Sequence, residues 1–265
     1  MEVLVVGNTA YVDDDFCAKA FPGDHVKVVA AAEARRDESS PHASWKELLQ
    51  HLEQAYEFDR VVYLSNYLTP HTDTVGDIEL LRSVFRTCSG RRVQLLYVAG
   101  PAGAEGAADA AGRTGKGIIA HAANDLCRYY AAREGVQTKI LRVPFLYTAS
   151  AALEDPFLVP MFDACSTGSA ALQGAQDAAF PLLCAEELSV LVRRIFDSWD
   201  GNFETLDVAD TFHHTVGEVG EALQALFPGL SVAYGDSAGY ALPASDVARV
   251  RYGWFQRYDL LRDLS

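Results

Sequence analysis

The side chains best suited to chemistry gather where apolar runs of this chain end. The run Glu2–Gly7 leads into Asn8-Thr9-Ala10-Tyr11-Val12 and then three successive carboxylates, Asp13, Asp14 and Asp15. Carboxylates at a helix start cap its free amides and complement the positive end of its dipole. A second run, Arg60–Leu64, ends in Ser65-Asn66, a hydroxyl followed by an amide. Further on, Lys116 and His121 stand at the entry to a helical stretch. A lysine becomes a base when burial strips its solvation, and a histidine exchanges protons near neutrality. Neither has a second ionisable partner at fixed spacing, so the plain reading is a loop lysine and a helix histidine.

Metal chemistry finds little support. His213-His214 is the one adjacent histidine pair, with no H-E-x-x-H and no carboxylate at ligand spacing. The cysteines, Cys17, Cys88, Cys127, Cys165 and Cys184, are scattered, odd in number and never in C-x-x-C. That pattern argues against a disulfide framework or a structural zinc site, and the expected setting is reducing and cytoplasmic. Most of these thiols sit among apolar neighbours and are expected in the core.

The elements that must position these groups alternate through the first 150 residues. Strands are expected at Glu2–Gly7, His25–Ala30, Arg60–Leu64, Val93–Val98 and Lys139–Leu146. Helices are expected at Asp13–Phe21, Ser44–Tyr56, Val75–Cys88 and Ile118–Glu134. Ala102–Gly117 is expected as a Gly/Ala-rich loop. Such alternation, with strands apolar throughout, predicts a parallel sheet wrapped by helices. After Ala149 the rhythm changes: helices at Asp155–Ala164, Glu186–Trp199 and Val216–Leu226, a strand at Phe203–Val208, and an aromatic tail. The expected division is a domain over residues 1–152 and a lobe over 153–265.

The chain has 265 residues, 49% hydrophobic and 22% charged, which suits one large globular domain or one plus a small one. A formal net charge of −14 repels phosphate backbones and anionic lipid, and no basic patch offsets it. Nucleic-acid and membrane partners are therefore not expected. No apolar run approaches the ~20 residues of a membrane span. The opening Met1-Glu2-Val3-Leu4-Val5-Val6-Gly7 has no basic start and is expected as a buried strand rather than a signal peptide.

The order of several segments resembles the extended short-chain dehydrogenase/reductase family, the NAD-dependent nucleotide-sugar epimerases and dehydratases. Ile140-Leu141-Arg142-Val143-Pro144-Phe145-Leu146-Tyr147 is similar to the family's L-R-P-x-x-V-Y segment. Phe180-Pro181-Leu182-Leu183-Cys184-Ala185-Glu186-Glu187-Leu188 is similar to F-P-L-V-H-V-E-D-L. Phe203–Val208 with Thr215–Leu226, and the ending Ser245–Arg249 with Gly253–Tyr258, follow in the family's order. The resemblance implies an α/β fold, a Rossmann-like doubly wound parallel sheet with a small C-terminal α/β substrate lobe. It also implies NAD(P) as cofactor and a nucleotide or nucleotide-sugar ligand. The cofactor-binding positions it marks are Gly7, Ala10, Tyr11, Val12, Ser65 and Asn66.

The departures from the family pattern fall on its chemistry. Its G-x-x-G-x-x-G loop brings backbone amides to a pyrophosphate at a helix start. In this chain Gly7 remains, Ala10 replaces the second glycine and Asp13 the third. Asp13 is expected to cap its own helix, since one helix dipole cannot serve two anions. The ribose-binding position falls in Val29-Ala30-Ala31-Ala32, and Arg35-Arg36 follow too late to fill it well. The family's Tyr-x-x-x-Lys falls on Lys116 and Ala120, and its Ser/Thr on Ala99-Gly100-Pro101. No tyrosine occurs from Val98 to Arg128. The expected function is a binding or regulatory pseudoenzyme. The alternative is an active, divergent NAD(P)-dependent epimerase, dehydratase or reductase with Lys116 or His121 as proton carrier. A protein partner or a homodimer is also expected. The dimer would use Leu80, Leu81 and Val84 with Ile119, Ala123, Leu126 and Tyr130, although the same stripes suit covering one chain's own sheet.

Overall fold

A computed structural model describes residues 1–30, 57–65, 75–100, 115–148, 158–172, 174–208, 211–236 and 246–264. Its centre is a six-stranded sheet in which every pairing is parallel. The strands are β1 (Glu2–Gly7), β2 (His25–Ala30), β3 (Arg60–Leu64), β4 (Gln94–Ala99), β5 (Gln137–Arg142) and β9 (Phe203–Asp207), in the order β2-β1-β3-β4-β5-β9. The apolar runs are continuous because both faces are covered. Val3, Val5, Val62, Leu64, Leu96 and Val98 pack under helices α1 (Asp14–Ala20) and α5 (Ala185–Asp197). Leu4, Val6, Val61, Tyr63, Leu95 and Tyr97 pack under α2 (Val75–Cys88) and α3 (Gly115–Arg133). The sheet is thus doubly wound, with β1 inside it.

β2 lies on one side of β1 and β3 on the other, so the chain reverses its winding direction at β1. In open parallel sheets the crevice for ligands opens at such a reversal, at the carboxyl ends of the strands.

A third core belongs to a lobe that follows the carboxyl end of β5. It contains two parallel pairs: β6 (Phe145–Tyr147) with β8 (Leu182–Cys184), and β7 (Ser169–Leu172) with β10 (Ser231–Tyr234). Around them lie α4 (Leu158–Ser166), α6 (Val216–Leu226) and α8 (Leu260–Leu264). A reciprocal cap starts α6: Thr215 Oγ1 accepts the Glu218 amide, and Glu218 Oε2 accepts the Thr215 amide at 2.8 Å.

The expected boundary at 152/153 lies outside the described residues, as do the expected helix Ser44–Tyr56 and most of Ala102–Gly117. Residues after that boundary are shared between the cores. β9, α5 and α7 (Val247–Tyr252) join the sheet, and the rest build the lobe. The strand expected at Lys139–Leu146 is two strands. Pro144 cannot donate to a ladder, so β5 ends before it and β6 starts after it in another sheet. α3 starts at Gly115, ahead of the expected Ile118.

One charged network ties α7 to the sheet. Lys139 on β5 is 1% exposed and reaches Glu204 at 2.5 Å and Asp200 at 3.1 Å. Arg251 pairs with the same two carboxylates. The buried Lys139 ammonium is thereby compensated, as an interior charge requires.

Candidate functional site

The site is built where β1 and β3 end side by side. Gly7 has φ +110°, and a Cβ there would stand 2.2 Å from the Leu64 carbonyl oxygen. Only glycine allows that pass. The Asn8 amide donates to the same oxygen at 2.8 Å, which locks the end of β1 onto β3.

The next residues turn tightly. Val12 N–H donates to the Thr9 carbonyl at 2.9 Å, and Ala10, exposed, sits at the tip. Asp13 then caps α1: its Oδ1 accepts the Phe16 amide at 2.7 Å, as expected from the run of carboxylates. Asp14 and Asp15 are exposed in the first turn, and Asp15 pairs with Lys19.

Tyr11 points into the protein. It is buried in the core under α1 and α5, and its hydroxyl donates to the Leu146 carbonyl of β6 at 2.8 Å. Val12 is half-buried against the same core. These two residues join the loop to the sheet core and to the lobe.

Ser65 follows β3. Its amide donates to the Val98 carbonyl at 2.9 Å. Its side chain is 0% exposed, and its hydroxyl has no hydrogen-bond partner among the described residues. A buried hydroxyl left unpaired costs about 1–3 kcal/mol, so it marks a place where a ligand or water would be held well. Asn66 lies outside the described residues. The structure therefore brings Gly7, Asn8 and Ser65 together at the crevice, and places Ala10 at its rim.

Sequence reasoning missed the support behind this crevice. Tyr63, fully buried on β3, donates its hydroxyl to Asp77 Oδ1 at 2.6 Å and reaches the Asp77 carbonyl at 2.9 Å. Asp77 is itself buried in the first turn of α2. Burial, then the neighbouring carboxylate, pushes the Tyr63 phenol well above its usual range. The signal in the sequence is one phenol in the otherwise aliphatic run Val61–Leu64.

The stretch where the family resemblance puts a hydroxyl is Ala99-Gly100 at the end of β4. In α3, Ala120 is half-buried and His121 exposed; the Lys116 side chain lies outside the described part. Cys127, fully buried on the same helix, is a thiol whose pKa burial raises far above its ordinary value, which removes it as a nucleophile. Among the described residues no group of His, Cys, Asp and Glu is placed to hold a metal, and no helix is long and apolar enough to cross a membrane.

No protein-family model and no curated protein matches the sequence. Solved structures do match the fold. The dTDP-glucose 4,6-dehydratase of Bacillus anthracis in complex with NAD superposes with a TM-score of 0.72 at 14% identity, covering 100% of this chain and 94% of that one. The chain has the fold of the nucleotide-sugar epimerases and dehydratases. The UDP-glucuronic acid 4-epimerase of Bacillus cereus in complex with NAD gives 0.72 at 12% identity, over 100% and 96% of the two chains. The UDP-glucose 4-epimerase of Thermotoga maritima with UDP-glucose gives 0.71 at 14%, over 100% and 96%. At these identities the likeness is one of fold, that of the extended short-chain dehydrogenase/reductases, and chemistry has to be argued from the site.

Of the expected dimer residues, the Ile119 side chain lies outside the described part, and Leu126 is half-buried against the chain's own core. Leu80, Leu81, Val84, Ala123 and Tyr130 are buried in this chain's own core, where Phe85 stacks on Tyr130 at 4.6 Å. The outward residues of these helices include Glu79, Arg82, Arg86, His121, Asp125 and Arg128. A covering helix needs an apolar stripe for the sheet alone, which accounts for the pattern.

Proposed function

We propose that this chain is a non-catalytic relative of the epimerases and dehydratases, a binding or regulatory protein that performs no hydride transfer. The observation that carries the reading is the hydrogen bond from the Phe16 amide to the Asp13 carboxylate. In dinucleotide-binding sheets the first helix start serves the pyrophosphate. Here a carboxylate already uses an amide of that helix start, with Asp14 and Asp15 beside it and the Ala10 methyl at the rim. These residues do not fit the diphosphate of NAD(P). The missing Tyr, Lys and Ser/Thr support the same conclusion, because removing one acid/base group alone costs roughly 10²–10⁴-fold.

The ligand fitted best is the nucleoside part of a nucleotide or nucleotide sugar, bound where Gly7, Asn8 and Ser65 meet. A cytoplasmic setting agrees with five free thiols. A ligand-facing lobe built from residues after 152, with β9, α5 and α7 returned to the sheet, and self-association, belong to this reading. One observation favours the alternative, an active divergent NAD(P)-dependent enzyme: the Ser65 hydroxyl is buried at the crevice without a partner among the described residues, a donor that a cofactor would satisfy. Purified protein tests the choice. The proposed reading expects no nicotinamide absorbance and no turnover of UDP-glucose or dTDP-glucose with added NAD. Turnover at ordinary enzyme rates overturns it.

A further inference from the structure

From Gly253 to Asp259 the chain has neither helix nor strand, yet Trp254 and Gln256 are 5% and 4% exposed. Gly253, Phe255 and Arg257 between them face solvent. Exposed and inserted side chains thus alternate from Gly253 to Arg257. The Trp254 amide still donates to the Ala248 carbonyl of α7, at 3.1 Å, but the amides of Arg257 and Tyr258 are held by one side chain. Glu187 Oε1 accepts the Arg257 amide at 2.6 Å, and Oε2 accepts the Tyr258 amide at 3.2 Å. The Trp254 indole donates to the Glu187 carbonyl at 3.1 Å. Gln256 reaches the lobe, donating to the Leu182 carbonyl at 2.8 Å and accepting the Thr211 amide at 3.1 Å. Asp259 meets His214 at 2.7 Å and accepts the Leu261 amide at 3.1 Å.

The segment also crosses between cores. Trp254 belongs to the core under α1 and α5, and Leu260 to the lobe core. Glu187 stands where these parts meet, in the first turn of α5 directly after lobe strand β8. We propose that Trp254–Leu260 is a releasable strap that holds the lobe against the sheet, with the Glu187 carboxylate as its catch. One buried carboxylate bearing two amides concentrates the fastening, because hydrogen bonds to a charged acceptor are the strong ones. The lobe in turn holds the crevice loop, through the Tyr11 hydroxyl on the Leu146 carbonyl. Release of the strap therefore loosens the lobe at β6 and frees the loop beside Gly7. The proposal stands independently of which ligand the crevice takes.

Hydrogen exchange on the full chain tests it. In E187Q one of the two accepting oxygens becomes an NH2 group, which donates and leaves the amide that faced it without an acceptor. The strap predicts that exchange accelerates together, by about tenfold or more, at Arg257 and Tyr258 and also at Thr211 and Leu261, which other side chains hold. The Phe145 amide of β6, bonded to the Pro181 carbonyl at 3.1 Å, accelerates with them, while Leu95–Val98 do not change. Acceleration confined to Arg257 and Tyr258, or spread equally into Leu95–Val98, overturns the proposal. Should E187Q not fold, the unmodified chain in low urea decides. The amides of Thr211, Arg257, Tyr258 and Leu261 then share one opening free energy, below that of the sheet. Separate openings, or one equal to the sheet's, overturn it.

Discussion

Asp13 Oδ1 lies 2.7 Å from the amide nitrogen of Phe16. That contact gives to the protein's own carboxylate a helix start that dinucleotide-binding sheets offer to phosphate. It follows from sequence alone, since three aspartates after a glycine turn suit an unliganded helix start.

Replacing Ala10 and Asp13 together by glycine should therefore admit the cofactor. The double variant regains space, backbone donors and an unoccupied dipole end. Its affinity for NAD should rise at least tenfold by calorimetry. Its fold should suffer little, because glycine at a cap costs only about a few tenths of a kcal/mol, whereas D13A should cost about 0.5–2 kcal/mol in urea unfolding.

Gly7→Ala tests the close pass of β1 beside β3. The new methyl would stand 2.2 Å from a carbonyl oxygen, at a φ of +110° that side chains avoid. Unfolding in urea should show a loss of more than about 2 kcal/mol. The variant should also lose protection at the Asn8 amide, which shares that carbonyl.

The buried phenol behind the crevice makes a different prediction. Tyr63→Phe keeps the ring and leaves the Asp77 carboxylate without its 2.6 Å donor. The expected loss of stability is about 1–3 kcal/mol. A loss near zero would mean that other partners of Asp77 suffice.

The network around Lys139 sets a pH dependence. The Lys139 hydrogen bond, with further help from Arg251, holds the Asp200 carboxyl below its ordinary value of 3.8. A carboxylate with a depressed folded pKa stabilises the fold above its unfolded pKa, and the gain is lost as pH falls through the folded value. The stability difference between the unmodified chain and D200N should be present at neutral pH and close below pH 3.8. Because Asp200 is exposed, the difference should also shrink in high salt.

The doubly wound sheet was legible because its inner strands β1, β3 and β4 are buried on both faces, so Val3–Val6 and Val61–Leu64 read as unbroken apolar runs. Gly7 and the Asp13 cap were legible for local reasons, a turn and a helix start. What depends on distant partners was not. Phe203–Asp207 reads as a strand, but nothing in FETLD says that it pairs with β5 rather than within the lobe. β8 has three residues, too few for periodicity to show, and β7 and β10 have four each. The inward turn of Tyr11 depends on a carbonyl 135 positions away, and the catch on Glu187 joins residues 70 and 71 apart. Local pattern carries no trace of such pairs.

Titration of NAD into the unmodified chain by calorimetry decides whether the Asp13 cap keeps the cofactor out. Binding should be weaker than about 1 mM, equivalent to no more than about 4 kcal/mol. Micromolar binding would mean that the cap does not exclude it. The crevice at Gly7, Asn8 and Ser65 would then hold a working cofactor despite Asp13, and Lys116 and His121 would become the proton carriers to test.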